Sequence, residues 1–194
     1  MKGQFLAIVI VLALVVLAGI ASSGILSPSV VPPSATMGTQ QVSMVLTSPV
    51  FQEGGRIPSK YSCDMDGVSP ALAWVGVPKG AKSVALIVDD PDAPRGIFTH
   101  WVIFNIPASE NRLPENVPAN GTLPNGAIQG NNGRSKIGYT SPCPPSGTHH
   151  YVFHLYALDT QLNLQAGATK QDLLAAITGH ILAEAQLTGL YSRS

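Results

Sequence analysis

Apolar and polar residues alternate along several short stretches of the chain, and glycine or proline bounds most of them. In the clearest stretch, the odd-numbered residues from His149 to Leu155 fall on one face of a strand and the even-numbered residues from His150 to Tyr156 on the other. Further strands are predicted at residues 42–46, 71–75, 83–88 and 101–106. The 83–88 run has few polar residues, which is typical of a central strand buried on both faces.

One helix is predicted near the C-terminus. The sequence Thr169-Lys170-Gln171-Asp172 resembles a capping box with a shorter acid, which opens a helix. An apolar stripe at Leu173, Ile177, Ile181 and Ala185 follows, and Gly189 is expected to end the helix. The pattern as a whole therefore predicts a mainly β domain with one helix at its end.

The N-terminal part of the chain has a different character. Residues 5–20 form an apolar run behind a single lysine, and residues 1–26 are expected to be either a signal peptide or an uncleaved membrane anchor. Both alternatives place the rest of the chain outside the cytoplasm, and an anchor would attach it to the membrane. Residues 27–41, rich in Ser, Pro and Thr and without charge, predict a linker, so that residues 42–194 form the domain.

Charge adds one exclusion. The 194 residues carry 11 basic and 11 acidic side chains, and charged residues make up 11% of the chain. Nothing in this balance favours nucleic acid as a partner.

The chain has two cysteines, Cys63 and Cys143. Outside the cytoplasm an even count favours a disulfide, here closing a loop of about 80 residues. The alternative is a pair of buried, unbonded thiols.

Candidate chemistry clusters on two proline-stiffened loops. In the first, an apolar run stops at Asp89-Asp90-Pro91-Asp92-Ala93-Pro94, and the chain re-enters a strand in which alternation places His100, Val102, Phe104 and Ile106 on one face. Asp90 and Asp92 either contribute to a site or cap their own turn. His100 either faces a pocket or is a core histidine bonded to a loop carbonyl.

The second loop holds Pro142, Pro144 and Pro145 and leads directly into the face that carries His149 and Tyr151. If the two loops converge, Asp90, Asp92, His100, His149 and Tyr151 surround one pocket. Donors and acceptors together suit a zwitterion or a phosphate monoester better than a simple cation.

The ordered motifs D-P-D-A-P…H-W-V-I-F-N-I-P and G-Y-x-x-P-C-P-P-x-G-x-H-x-Y-x-F-x-L-Y-A-L resemble the phosphatidylethanolamine-binding protein family, which includes the Raf kinase inhibitor proteins. The prokaryotic branch is the closer likeness, and the resemblance spans about Val42 to Arg193. It implies two packed β-sheets with a C-terminal helix. It also implies a pocket for phosphate, acetate or phosphoethanolamine-like groups.

By position, the resemblance implies a set of ligand-binding residues: Asp90, Asp92, His100, Pro144, Pro145, His149 and Tyr151. Two departures from the family pattern stand out. Ser141 replaces a glycine before the proline-rich loop, and Asn131-Asn132 replaces the Asn-Asp of many bacterial members.

Three functions follow from these residues. The favoured one is non-enzymatic binding of a small anionic or zwitterionic phospho head group, with possible regulation of a partner protein and with no cofactor or metal. The alternative is inhibition of an extracytoplasmic serine protease or a kinase through rim loops. An Asp–His hydrolase is the least favoured, because the chain has neither a G-x-S-x-G elbow nor an H-E-x-x-H helix.

Overall fold

The computed structural model describes residues 43–193. The strands are β1 (Val45–Thr47), β2 (Gly55–Arg56), β3 (Leu72–Val75), β4 (Ser83–Asp90), β5 (Phe98–Pro107), β6 (Arg112–Leu113), β7 (Ile128–Gln129), β8 (His149–Leu158) and β9 (Ile181–Tyr191). Helix α1 covers Lys170–Ile177. The predicted signal peptide or anchor and the predicted linker lie outside the described residues. Between residues 43 and 193, no helix has the length and apolar character needed to span a membrane.

The strands form two sheets. The smaller has the order β1-β3-β6, and the larger has the order β2-β9-β8-β4-β5-β7. All pairings are antiparallel except that of β2 with β9. The predicted central strand is therefore found as β4, with three strands on one side of it and two on the other.

Two apolar layers cover the two faces of the larger sheet. The main core lies between the sheets, where Leu46 and Trp74 of the smaller sheet join Leu86 and Phe153 of the larger. A second cluster lies under α1 and includes Leu173 and the α1-facing side chains of β4 and β5. The prediction of a mainly β fold with two packed sheets and a C-terminal helix is confirmed.

Strand β8 has the predicted alternation. Tyr151, Phe153 and Leu155 are buried in the core between the sheets, whereas His150 on the other face is exposed. His149 lies at the start of β8 and is buried on the same side as Tyr151.

Strand β5 does not keep a regular alternation, and the prediction that His100, Val102, Phe104 and Ile106 share one face is wrong. Val102 and Phe104 pack under α1, but Ile106 lies in the core between the sheets. Two bulges cause the switches, because each inserts one residue into β5 relative to β4. One bulge contains His100, and the other contains Asn105, whose φ is 55°.

Helix α1 begins as predicted but ends earlier. Thr169 and Asp172 form a reciprocal capping box, with each side chain accepting a hydrogen bond from the other residue's backbone N–H. The helix stops at Ile177, and Gly179 turns the chain at φ 82°.

The predicted continuation of the helix through Ile181 and Ala185 to Gly189 is wrong, because these residues form β9 and pair with the whole of β8. The odd-numbered positions of β9 from Ala183 to Tyr191 face the core between the sheets. The segment therefore also carries a two-residue period, and its long-range pairing with β8 decides between the two structures.

Candidate functional site

A cavity of about 180 Å³ lies at one end of the central strands of the larger sheet. Strand β4 is antiparallel to both of its neighbours, so its last residue, Asp90, lies beside the first residues of β5 and β8. The two proline-stiffened loops close the cavity from either side. Its walls are formed by Asp90, Ala93, Pro94, Phe98, His100, Arg134, Ser141, Cys143, Pro144, Pro145 and His149.

Asp90 and His149 form a buried pair in the cavity wall. The Nδ1–H of His149 donates to Oδ2 of Asp90 at 2.7 Å, and both side chains are less than a tenth exposed. The other oxygen, Oδ1, accepts the backbone N–H of Asp92 at 2.8 Å. Asp90 therefore caps its own turn, which was one of the two alternatives from the sequence, and it also contacts His149 in the cavity wall.

His100 reaches the cavity because of the first bulge in β5. Its Nδ1–H donates to the carbonyl oxygen of Thr140 at 2.7 Å, since a carbonyl can only accept. Burial lowers the pKa of His100, although the Thr140 hydrogen bond and the charge of Asp90 oppose the shift. A neutral His100 with its proton on Nδ1 leaves Nε2 as an acceptor. His100 thus bonds to a loop carbonyl and also lines the cavity, so both alternatives from the sequence hold.

A family model described as Phosphatidylethanolamine-binding protein matches residues 47–192. The chain belongs to this family. A UPF0098 protein of Methanothermobacter thermautotrophicus is 57% identical over 150 residues, which cover 77% of this chain and 99% of that protein. A UPF0098 protein of Pyrococcus abyssi is 49% identical over 154 residues, covering 77% of this chain and 86% of the other.

Solved structures give the same assignment. A putative phosphatidylethanolamine-binding protein homolog from Chlamydia trachomatis has a TM-score of 0.73 and 43% identity, and covers 78% of this chain and 99% of its own. E. coli YbcL, described as a new member of the mammalian family, has a TM-score of 0.73 and 33% identity with the same coverage. The family assignment therefore rests on sequence and on fold.

Five of the residues implied by the family resemblance lie together in the cavity wall: Asp90, His100, Pro144, Pro145 and His149. Asp92 lies outside it, where its Oδ2 accepts from the backbone N–H and from Nδ1–H of His150 at 2.7 and 2.8 Å. The backbone hydrogen bond from His150, followed by the side-chain one, lowers the pKa of Asp92. The ligand-binding roles of all seven residues stay predictions.

Tyr151 lies behind the cavity wall, with its ring edge-on to His100 at 5.1 Å between centroids. Its hydroxyl is buried and has no hydrogen-bond partner with acceptable geometry within residues 43–193. Burial raises the pKa of this phenol, so it is protonated at neutral pH. Tyr151 is therefore a protonated phenol that contacts His100 from outside the cavity lining.

The sequence patterns gave no indication of Arg134, the cation of the cavity wall. Its turn is organised by the buried Asn132, whose Oδ1 accepts the backbone N–H of Arg134 at 2.9 Å and whose Nδ2 donates to the Gly138 carbonyl at 2.9 Å. Asn132 is one of the two departures from the family pattern, and an aspartate there has no N–H to donate to Gly138. The amide of Asn132 therefore makes both hydrogen bonds that hold the turn carrying Arg134.

Cys63 and Cys143 form a disulfide, with their Cα atoms 5.4 Å apart. Cys143 lines the cavity, and the backbone N–H of Cys63 donates to the carbonyl of Pro142 at 3.0 Å. The disulfide thus links the proline-rich wall of the cavity to the loop that contains Cys63. In the part of the chain that the structure describes, no group of three or more His, Cys, Asp or Glu side chains is arranged to hold a metal ion.

Proposed function

We propose that the domain binds a small anionic or zwitterionic phospho head group in this cavity and does not turn it over. One observation carries the proposal. Two imidazoles, His100 and His149, line the same cavity with Nδ1 committed to a protein oxygen, and neither Nε2 has a protein partner among residues 43–193. Both Nε2 atoms are therefore available to a ligand.

The two histidines offer different chemistry. When a proton is present on Nε2 of His149, this atom can donate to a phosphate oxygen while the Nδ1–H stays on Asp90. The guanidinium of Arg134, which also lines the cavity, supplies a fixed positive charge for the same anion. The phosphate group of the ligand is therefore expected beside His149, with Arg134 in the same cavity wall.

His100 suits the other end of such a ligand. Its neutral ring presents an acceptor, which fits the proton of a phosphate monoanion or the N–H of an ammonium group. The carboxylate of Asp90, which is hydrogen-bonded to His149, also acts through its charge on His100, so it lies within range of an ammonium group bound there. Drug-sized ligands occupy pockets of roughly 300–1,000 Å³, and this cavity of about 180 Å³ matches a head group alone.

Isothermal titration calorimetry with O-phosphoethanolamine tests the proposal on the full-length protein. We expect saturable binding that His149→Ala weakens by about tenfold or more, because charge-assisted hydrogen bonds are the strong ones in such sites. Thermal melting of the same variant reports whether the fold is retained.

The chain offers a matched control. His180 donates from Nδ1 to Oδ1 of Asp159 at 2.8 Å, the same arrangement as His149 with Asp90, but on the surface. His180→Ala should leave the affinity unchanged. Equal affinities of the wild type and a folded His149→Ala variant would refute the proposal.

A further inference from the structure

Phe98, the first residue of β5, fills a gap beside the cavity. One side of its ring meets His100, with the ring centroids 4.8 Å apart and the planes at 67°. The ring also lies against Gly133, where a methyl group in place of a Cα hydrogen would come within 2.6–2.9 Å of three ring atoms. Glycine at position 133 thus allows the ring to occupy the space between His100 and the loop that carries Arg134.

A second concavity lies beyond this ring. It has a volume of about 300 Å³ and shares Phe98 with the first cavity. Its walls hold hydroxyl and amide groups, including those of Thr99, Asn131 and Thr169. We call it the polar groove.

The one cation in the wall of the polar groove is already neutralised. Lys170 Nζ lies 2.6 Å from Oδ2 of Asp89, and Oδ1 of Asp89 accepts from the hydroxyl of Thr99 at 2.9 Å. Both charged side chains are less than a fifth exposed. The polar groove therefore suits uncharged hydrogen-bonding groups such as a polyol, and not a second anion.

We propose that Phe98 determines ligand size: its ring separates the phospho cavity from the polar groove and restricts the site to compact head groups. The inference rests on the proposed function. We expect that removal of the ring opens a path around the first residue of β5 between the two spaces. A phosphodiester that carries a glycerol arm can then place its phosphate by His149 and its hydroxyls by Asn131.

The experiment compares O-phosphoethanolamine with glycerophosphoethanolamine by calorimetry on the full-length chain. We expect the wild type to bind the compact compound about tenfold or more tightly than the extended one, a ratio in the range that one pocket group can enforce. In Phe98→Ala the ratio should fall to about one or reverse. Phe98→Val, which suits a strand position, provides the same comparison if Phe98→Ala does not fold.

Gly133→Ala tests the contact between the Phe98 ring and residue 133. Its methyl group must displace the Phe98 ring, so it should weaken phosphoethanolamine binding in the wild type and have no effect in the Phe98→Ala background. An unchanged selectivity ratio in the folded Phe98 variants, or an equal effect of Gly133→Ala in both backgrounds, overturns the role of Phe98 alone. No binding of either compound by the wild type overturns the proposed function and the inference with it.

Discussion

Replacing both cysteines by serine should cost the domain a large share of its stability. The disulfide joins residues separated by 80 positions, and the chain-entropy relation for a loop of that length gives about 4.5 kcal/mol. Domains are usually stable by about 5–15 kcal/mol, so the loss removes between about a third and nine tenths of that free energy and the variant should still fold. In a domain of this size the loss corresponds to a melting temperature lower by about 9–18 °C.

The assay is urea unfolding of the Cys63→Ser/Cys143→Ser protein followed by tryptophan fluorescence. Trp74 and Trp101 are both buried, so their emission reports the loss of the core. The wild type measured in excess reductant is the matched control, since it loses the bond and keeps both cysteines. The two samples should have similar free energies of unfolding.

A second measurement tests whether the disulfide holds the cavity wall in place. Cys143 and Pro144 line the wall, so loss of the bond should weaken O-phosphoethanolamine binding even at temperatures where the variant is fully folded. A stability loss below about 1 kcal/mol would contradict the entropic reasoning. Unchanged affinity would contradict the role of the bond in holding the cavity wall.

Two further predictions concern stability. Burial lowers the pKa of His100, so the unfolded chain binds a proton near pH 6.5 that the folded protein does not take up. The free energy of unfolding should therefore fall between pH 7.5 and 5.5, and urea titrations should give a shallower fall for His100→Gln; an equal slope would contradict this. Thr169→Ala removes the capping box of α1 and should destabilise the domain by about 1 kcal/mol in the same assay. Thr178→Ala, at the other end of the helix, is the control, and equal losses in the two variants would contradict the capping argument.

The sequence predicts those features that depend on local chemistry. The alternation of β8, the start of α1 and the stiff acidic turn before β5 each follow from residues within a few positions of one another. The grouping of Asp90, His100 and His149 also follows from the family resemblance, because the motifs place each residue beside a loop or strand end. Local patterns and the family motifs are therefore sufficient for these elements and for this grouping.

Features that depend on long-range contacts were not predictable in the same way. Residues 181–191 carry both a helical and a strand period, and pairing with β8 selects the strand. Arg134 enters the cavity wall because Asn132 bonds to Gly138 and shapes the intervening turn. The residues of β9 do not by themselves exclude a helix, and those of the turn do not by themselves predict it.

The bulge at His100 connects the fold to the candidate site. Asp89 and Asp90 are consecutive in β4 and face opposite sides of the sheet, Asp89 toward Lys170 and Asp90 toward His149. Thr99 pairs with Asp89 and donates to it, while Trp101 pairs with Val88. Under strict alternation, with Val102 under α1, His100 would also point toward the helix. The inserted residue turns it toward Asp90, so an irregularity in the strand pairing supplies the acceptor of the cavity.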